Sequence, residues 1–284
     1  MKIIWEWSLE SEGNRILQTA GSIASGFYHL QHFLPLPWKP NVKYHQVGVY
    51  LPNLPYSSLS HFWTQVAQLD QKILPIKAPT KLVAQTKSLL ATLPLTHPTF
   101  SHLQTQAKET LPAVLDFLRQ FAPSTPIPEV ITIHPTLFGT FGSFNWVDDK
   151  SQVTIFIRQD KGISTLVECL LSSLLRPSAS TDLDGNWSET EFLVDWLIHS
   201  SSLSSIIPLD PTWSGTLSAT HRPVSSTLQA ESARFLSQIG APTPSSHHFT
   251  LQDTVIRFGD TPISFLTARE HTILTKLVEK SPAP

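Results

Sequence analysis

Thiols are almost absent. Cys169 is the single cysteine, so no disulfide can form within the chain and no cluster of cysteines can hold a metal. Charge is scarce as well. Only 15% of the residues are Asp, Glu, Lys or Arg, well under the ordinary quarter, and they nearly cancel to a formal net charge of -2. The molecule as a whole therefore has no electrostatic pull towards nucleic acid or an anionic membrane, and any DNA contact has to come from a local patch. No run of about 18 uncharged apolar residues occurs. The opening MKIIWEWSLESEGNR lacks the apolar stretch of a signal peptide. A cytoplasmic protein without membrane association is expected, and no internal repeat is found.

Serine, threonine, histidine and 23 prolines fill the gap left by charge, around a hydrophobic fraction of 40% that can build a core. Residues 1–127 read as a mainly helical region, with candidate helices at 13–33, 57–70, 79–92 and 101–121. Pro112 lies inside the last of these, which predicts a kink or a restart there. LPLPWKP (34–40) and LPNLPYSS (51–58) read as loops. KYHQVGVYL (43–51) alternates weakly, as a strand does. His45, His61, His97 and His102 are scattered without metal-ligand spacing and are expected at the surface.

The texture changes in the segment 128–205. EVITIHP (129–135) is alternating and β-branched, a strand signature. GTFGSFNWVDDKSQ (139–152) reads as a turn, and VTIFIR (153–158) as a second strand. GISTLVECLLSSLLRP (162–177) follows, an apolar helix with Glu168 in its middle. A second helix starts at Ser188 with SETEFLVDWLIHSSSL. Residues 206–246 form a Pro/Ser-rich connection with one short helix near 225–239, and APTPSSHH (241–248) has the composition of a linker. The last segment, 247–284, carries two short strands (248–252 and 254–258), a GDTP turn and the helix LTAREHTILTKLVEK.

The order strand, strand, helix with Glu, loop, helix with E-x-x-x-D resembles the gluzincin branch of the zinc proteases. In that family two histidines one helical turn apart bind zinc, and the glutamate beside the first activates the bound water. A glutamate on the next helix completes the ligands, and an aspartate four residues later orients a histidine. Glu168 falls at the base position, Val167 and Leu171 at the two imidazole positions, Glu191 at the third ligand and Asp195 at the orienting aspartate. Residues 128–205 thus resemble a minigluzincin-like domain that lacks both histidine ligands. The resemblance implies an inactive homologue, with Glu168, Glu191 and Asp195 vestigial, no metal, no cofactor and no catalysis. His134 and His199 do not fall at positions 167 or 171. Simpler readings stand beside it. Glu168 is a relic or a surface residue, Ser188 and Glu191 form a capping box, Asp195 lies on a solvated face, and Cys169 is a small core residue.

In the last segment, Leu266, Thr267 and Glu270 form L-T-x-x-E. Ile273, Leu274, Leu277 and Val278 then make one apolar helix face, and Thr267 and Glu270 suit a capping box. With the short strands before it, this stretch resembles the start of the winged-helix domain of OmpR/PhoB-type response regulators. The recognition helix and wing of that family follow this first helix, so a partial module is expected. Arg257, Arg269, Lys276 and Lys280 are candidate contacts to the DNA backbone, and no residue is in place to read base sequence. Receiver-domain motifs are not found.

The fold expected is α+β: a helical N-terminal region, a small mixed strand-helix middle domain and a partial winged helix. The function expected is that of a non-catalytic regulatory protein, DNA-associated or transcription-related, with the protease-like domain as a scaffold for a protein partner. A zinc metallopeptidase with rearranged ligands and a purely structural interaction protein are the alternatives. Metal content separates the first alternative from the rest.

Overall fold

β-Branched runs from distant parts of the chain meet in one sheet. The computed structural model describes residues 1–70, 74–145, 152–182, 187–208, 210, 213, 215–216, 220, 223–242, 249–252, 255–258 and 261–262. Strands β1 (Lys2–Trp5), β4 (Val130–Thr136) and β6 (Gln152–Arg158) run parallel, and β5 (Gly142–Phe144) lies antiparallel to β6, in the order β1-β4-β6-β5. The molecule is therefore α+β, as expected. The strand pair expected as a hairpin is instead parallel, with Val130 opposite Gln152 and Thr136 opposite Arg158. Part of the expected turn, Gly142–Phe144, is the strand that lets the chain reverse twice between the two.

The two faces of this sheet differ in chemistry because side chains alternate along a strand. Ile131, Ile133, Val153, Ile155 and Ile157 form the apolar face and share a core with α5 (Ser101–Phe121), α6 (Ile163–Asp182) and α7 (Trp187–Ser200). Thr132, His134, Thr136, Thr154 and Arg158 form the other face, and it too is buried. The N-terminal residues cover it, so the alternation that reads as half-solvated strand is a strand pair enclosed on both sides.

α1 (Leu9–Ala24) is the element that meets this polar face. Ser8 caps it: the Ser8 hydroxyl accepts from the Ser11 N–H at 3.0 Å, and the Ser11 hydroxyl accepts from the Ser8 N–H at 2.9 Å. Every residue from Ser11 to Ile23 is buried, polar ones included. The expected helix 13–33 breaks at Gly26, which adopts the left-handed conformation at φ +76° and leads into the single turn α2 (Phe27–Leu30). α3 (Phe62–Ala67) is shorter than expected. α4 (Thr80–Leu90) and α5 lie where periodicity places them, and α5 passes through Pro112 without restarting.

LPLPWKP is not a loop. Leu34–Trp38 is strand β2, parallel to β3 (Gly48–Pro52). The Leu34 N–H donates to the Val47 carbonyl at 2.9 Å, so Leu34, Leu36 and Trp38 point their N–H groups at β3. Pro35 and Pro37 alternate with them and have no N–H to place on the side away from β3, which is where an edge strand tolerates proline. α8 (Ser226–Gln238), capped by Ser225, packs against β2.

β1 belongs to the sheet of the middle segment, so residues 1–127 and 128–205 do not separate, and Met1–Ala241 form one compact unit. The second unit, Pro242–Pro284, carries the antiparallel sheet β7 (Phe249–Gln252), β8 (Val255–Phe258) and β9 (Thr261–Pro262). The two strands expected there are present. The helix expected to follow them, with Arg269, Lys276 and Lys280, lies outside the described residues.

Candidate functional site

α6 is apolar because it is enclosed. Leu166, Val167, Leu170 and Leu171 are fully buried in the core under the sheet. Val167 and Leu171, at the positions the resemblance reserves for imidazoles, are ordinary core residues. Cys169 is buried as expected. Its sulfur lies where a Cβ on Gly142 would come to 2.3 Å, so β5 runs in close contact along the helix.

Glu168 is not a surface residue. It is 3% exposed, and a segment about 45 residues further along the chain takes both of its oxygens. The Trp213 indole N–H donates to Oε2 at 2.9 Å. The Thr216 backbone N–H donates to Oε1 at 2.9 Å, and the Thr216 hydroxyl donates to the same oxygen. Burial holds the Glu168 carboxyl above its ordinary range, and these three donors offset only part of that rise. Both oxygens of Glu168 thus have protein donors.

Glu191 and Asp195 lie on α7, which packs against α6. Glu191 is buried. α7 begins at Trp187, and the Ser188 side chain of the expected capping box lies outside the described residues. Glu168 and Glu191 both act on the Cys169 thiol: burial raises it first, and the two carboxylates raise it further. Both glutamates are buried, on helices that pack against each other. Asp195 is half-buried, not on a solvated face, and Gly215 lies against it. A Cβ on Gly215 would fall 2.4 Å from the Asp195 carboxylate, and Gly215 itself sits at φ +77°. One turn on, the exposed His199 stacks on the Trp213 ring at 4.7 Å between centroids.

The other sequence candidates lie elsewhere. His134 is in the sheet, stacked on Phe156 at 4.9 Å, with Nδ1 3.1 Å from the Glu6 carbonyl, and burial pushes its imidazole down. His45, His61, His97 and His102 are exposed, as expected. Among the described residues, no group of three or more His, Cys, Asp or Glu side chains is placed to hold a metal ion. Arg257 lies on β8 opposite Thr250 and Pro262.

Trp213, Gly215 and Thr216 were not legible as site residues, because only the fold brings Trp213 and Thr216 to Glu168 and Gly215 to Asp195. A second buried polar cluster was equally hidden. Glu12 accepts from the Trp7 indole at 2.9 Å, the Thr136 hydroxyl at 2.6 Å and the Leu137 N–H at 3.0 Å. Arg15 donates to the Phe138 carbonyl at 3.2 Å and to the Thr140 carbonyl at 3.1 Å. Arg158 pairs with Asp160 at 2.6 Å, donates to the Gly48 carbonyl at 2.9 Å and stacks over Tyr44 at 4.5 Å. These contacts fasten α1 and β3 to the ends of β4 and β6, and the guanidinium groups are occupied by protein acceptors.

The chain matches no protein-family model, no curated protein and no solved structure.

Proposed function

We propose that the chain is a non-catalytic regulatory protein of the cytoplasm, associated with DNA or transcription through its C-terminal segment. The α6–α7 region then acts as a protein-binding scaffold on a metallopeptidase-like frame. One observation carries the non-catalytic part: the Glu168 carboxylate is filled by Trp213 and Thr216, beside Val167 and Leu171 in place of imidazoles. The frame itself is supported by α6 and α7 packing side by side with both glutamates inward. The DNA-associated part rests on the L-T-x-x-E helix of the sequence and on the short antiparallel strands before it.

Two measurements test this reading. Elemental analysis of the purified protein is expected to find no stoichiometric zinc; about one zinc per chain, lost in Glu191→Ala, overturns it. Titration against duplex DNA is expected to show weak, salt-sensitive binding without sequence preference, because Arg257, Arg269, Lys276 and Lys280 reach phosphates at most. Tight, sequence-selective binding would place base-reading residues where none is assigned. No helix among the described residues is long and apolar enough to cross a membrane.

A further inference from the structure

β1 is the outer strand of its sheet, with β4 on one side only. The Lys2 N–H donates to the Glu129 carbonyl at 2.7 Å, and the Glu6 N–H to the Ile133 carbonyl at 3.0 Å. Lys2, Ile4 and Glu6 therefore turn their backbone groups towards β4, and Ile3 and Trp5, between them, turn theirs the other way. Among the described residues, nothing hydrogen-bonds to the backbone N–H or C=O of Ile3 or Trp5. An edge of this kind is one to which another strand can add.

The side chains along the edge are sorted by face and by charge. Ile3 and Trp5 lie on the apolar face, against the core shared with α5, and Trp5 stacks on Phe100 at 6.2 Å. Lys2, Ile4 and Glu6 alternate with them onto the other face. Lys2 and Glu6 are exposed, and neither joins an ion pair among the described residues. A base thus stands two places before Ile4 and an acid two places after it. Turned end for end, the strand is its own electrostatic complement.

We propose that β1 pairs antiparallel with β1 of a second copy of this chain, about a two-fold axis at Ile4, so that two sheets become one. Ile3 exchanges both backbone hydrogen bonds with the partner's Trp5, and Trp5 with the partner's Ile3. Ile4 meets the partner's Ile4 in a non-hydrogen-bonded pair, where side chains approach most closely. Lys2 faces the partner's Glu6, and Glu6 faces the partner's Lys2. The register follows from these groups. A slip of one residue opposes Ile3 to the partner's Ile4, whose N–H is already turned to β4. A slip of two sets Lys2 or Glu6 against the partner's Ile4 and breaks both ion pairs. Parallel pairing sets like charges side by side. The same charges make the edge a poor template for an unrelated apolar strand. Two strands this short bury less than the roughly 800 Å² per partner of a stable complex, so association with a Kd of about 10 µM to 1 mM is expected. The pairing depends neither on the α6–α7 scaffold nor on DNA.

Sedimentation equilibrium of the full chain up to about 1 mM tests the pairing, and the wild type is expected to pass from monomer to dimer. Lys2→Glu opposes acid to acid at both ends of the paired strands, and Glu6→Lys opposes base to base. Each variant alone is expected to dimerise at least about tenfold more weakly. An equal mixture of the two is expected to regain the wild-type affinity as a heterodimer. Both side chains are exposed, so the charge reversals leave the core untouched. With rising concentration, the Ile3 and Trp5 amides are expected to slow in hydrogen exchange, while the Ile4 amide, already turned to β4, does not. A chain that stays monomeric to about 1 mM overturns the proposal. So does a dimer that neither substitution weakens, a mixture that forms no heterodimer, or exchange at Ile3 and Trp5 that ignores concentration.

Discussion

Arg15 and Arg158 meet at one residue, Gly139. Its carbonyl accepts from Arg158 at 3.4 Å, and a Cβ on it would fall 2.2 Å from Arg15 Nε. Its φ of +81° is also one that side chains rarely adopt. Gly139→Ala combines backbone strain with displacement of a buried guanidinium, so a loss of about 3–5 kcal/mol is expected in urea unfolding. A loss below about 1 kcal/mol would show that Arg15 moves aside freely. Glu12 gives the pH dependence. Burial raises its carboxyl from 4.5 to about 7 against the hydrogen bonds from Thr136, Trp7 and Leu137 and the charge of Arg15. A raised acid binds its proton more tightly in the folded state. Its stabilisation is therefore complete below the unfolded value of 4.5 and is lost as pH rises through 7. Glu12→Gln keeps an oxygen for Trp7 and Leu137 and offers an N–H to the Thr136 hydroxyl. Stability against pH in this variant is expected to lose a slope on the order of 3 kcal/mol across that window. An unchanged profile would show that another group controls it. Thr86 is a simpler case. Its hydroxyl is buried without a hydrogen-bond partner among the described residues. Thr86→Val keeps the shape and removes the unpaired group, so a gain of about 1 kcal/mol is expected in the same assay.

At the scale of elements, legibility followed periodicity. α5 was readable from end to end because Leu103, Ala107, Leu111, Val114, Leu115 and Leu118 repeat with the helical period and share the core. Pro112 did not restart the helix because it lies on the exposed side of α5, where the missing N–H costs a hydrogen bond but no packing. Its removal is therefore expected to help. Pro112→Ala recovers about 3 kcal/mol of helix propensity and gives back about 1 kcal/mol through the freer unfolded chain. A net gain of about 2 kcal/mol is the outcome to check by denaturation, and a loss would show that the helix geometry at Pro112 is used elsewhere. β2 was illegible because two prolines in five residues look like a loop, and only the pairing direction shows that both sit on the N–H-free edge. The parallel register of β4 and β6 was illegible for a related reason. The connection between them holds an extra strand, β5, which turns the chain twice and lies inside a stretch that reads as a turn. The alternation of β4 itself was read correctly, but not what covers its polar side, since Glu12 and Arg15 come from a helix more than 120 residues away. Glu168 failed in the same way: the sequence shows a carboxylate in an apolar helix, and the fold alone supplies Trp213 and Thr216.

At the scale of the whole molecule, the division falls at Ala241 and Pro242. Met1–Ala241 is a compact unit with hydrophobic clusters of its own, which draw on positions from Ile3 to Ala241. A chain ending at Ala241 is therefore expected to fold cooperatively, with a urea midpoint close to that of the full chain. A collapse of that midpoint would show that Pro242–Pro284 contributes to the stability of the first unit. The division lies at the start of APTPSSHH (241–248), the stretch with the composition of a linker. Residues 1–127 and 128–205 are tied together by four residues at the start, Lys2–Trp5, which form a strand of the later sheet.

That first strand has a temporal consequence. Glu6, at its end, contacts His134 across 128 residues. On a ribosome adding about 5–20 residues per second, β1 emerges roughly 6–26 s before its partner strand can. Throughout that interval the nascent chain holds KIIW without the ladder that will cover it, together with the polar residues of α1 meant for a surface not yet made. β1 is thus translated well before the strand it pairs with and docks late. Translation pauses placed before residue 130 would lengthen the exposure, and chaperone capture should be heaviest on nascent chains that stop short of β6.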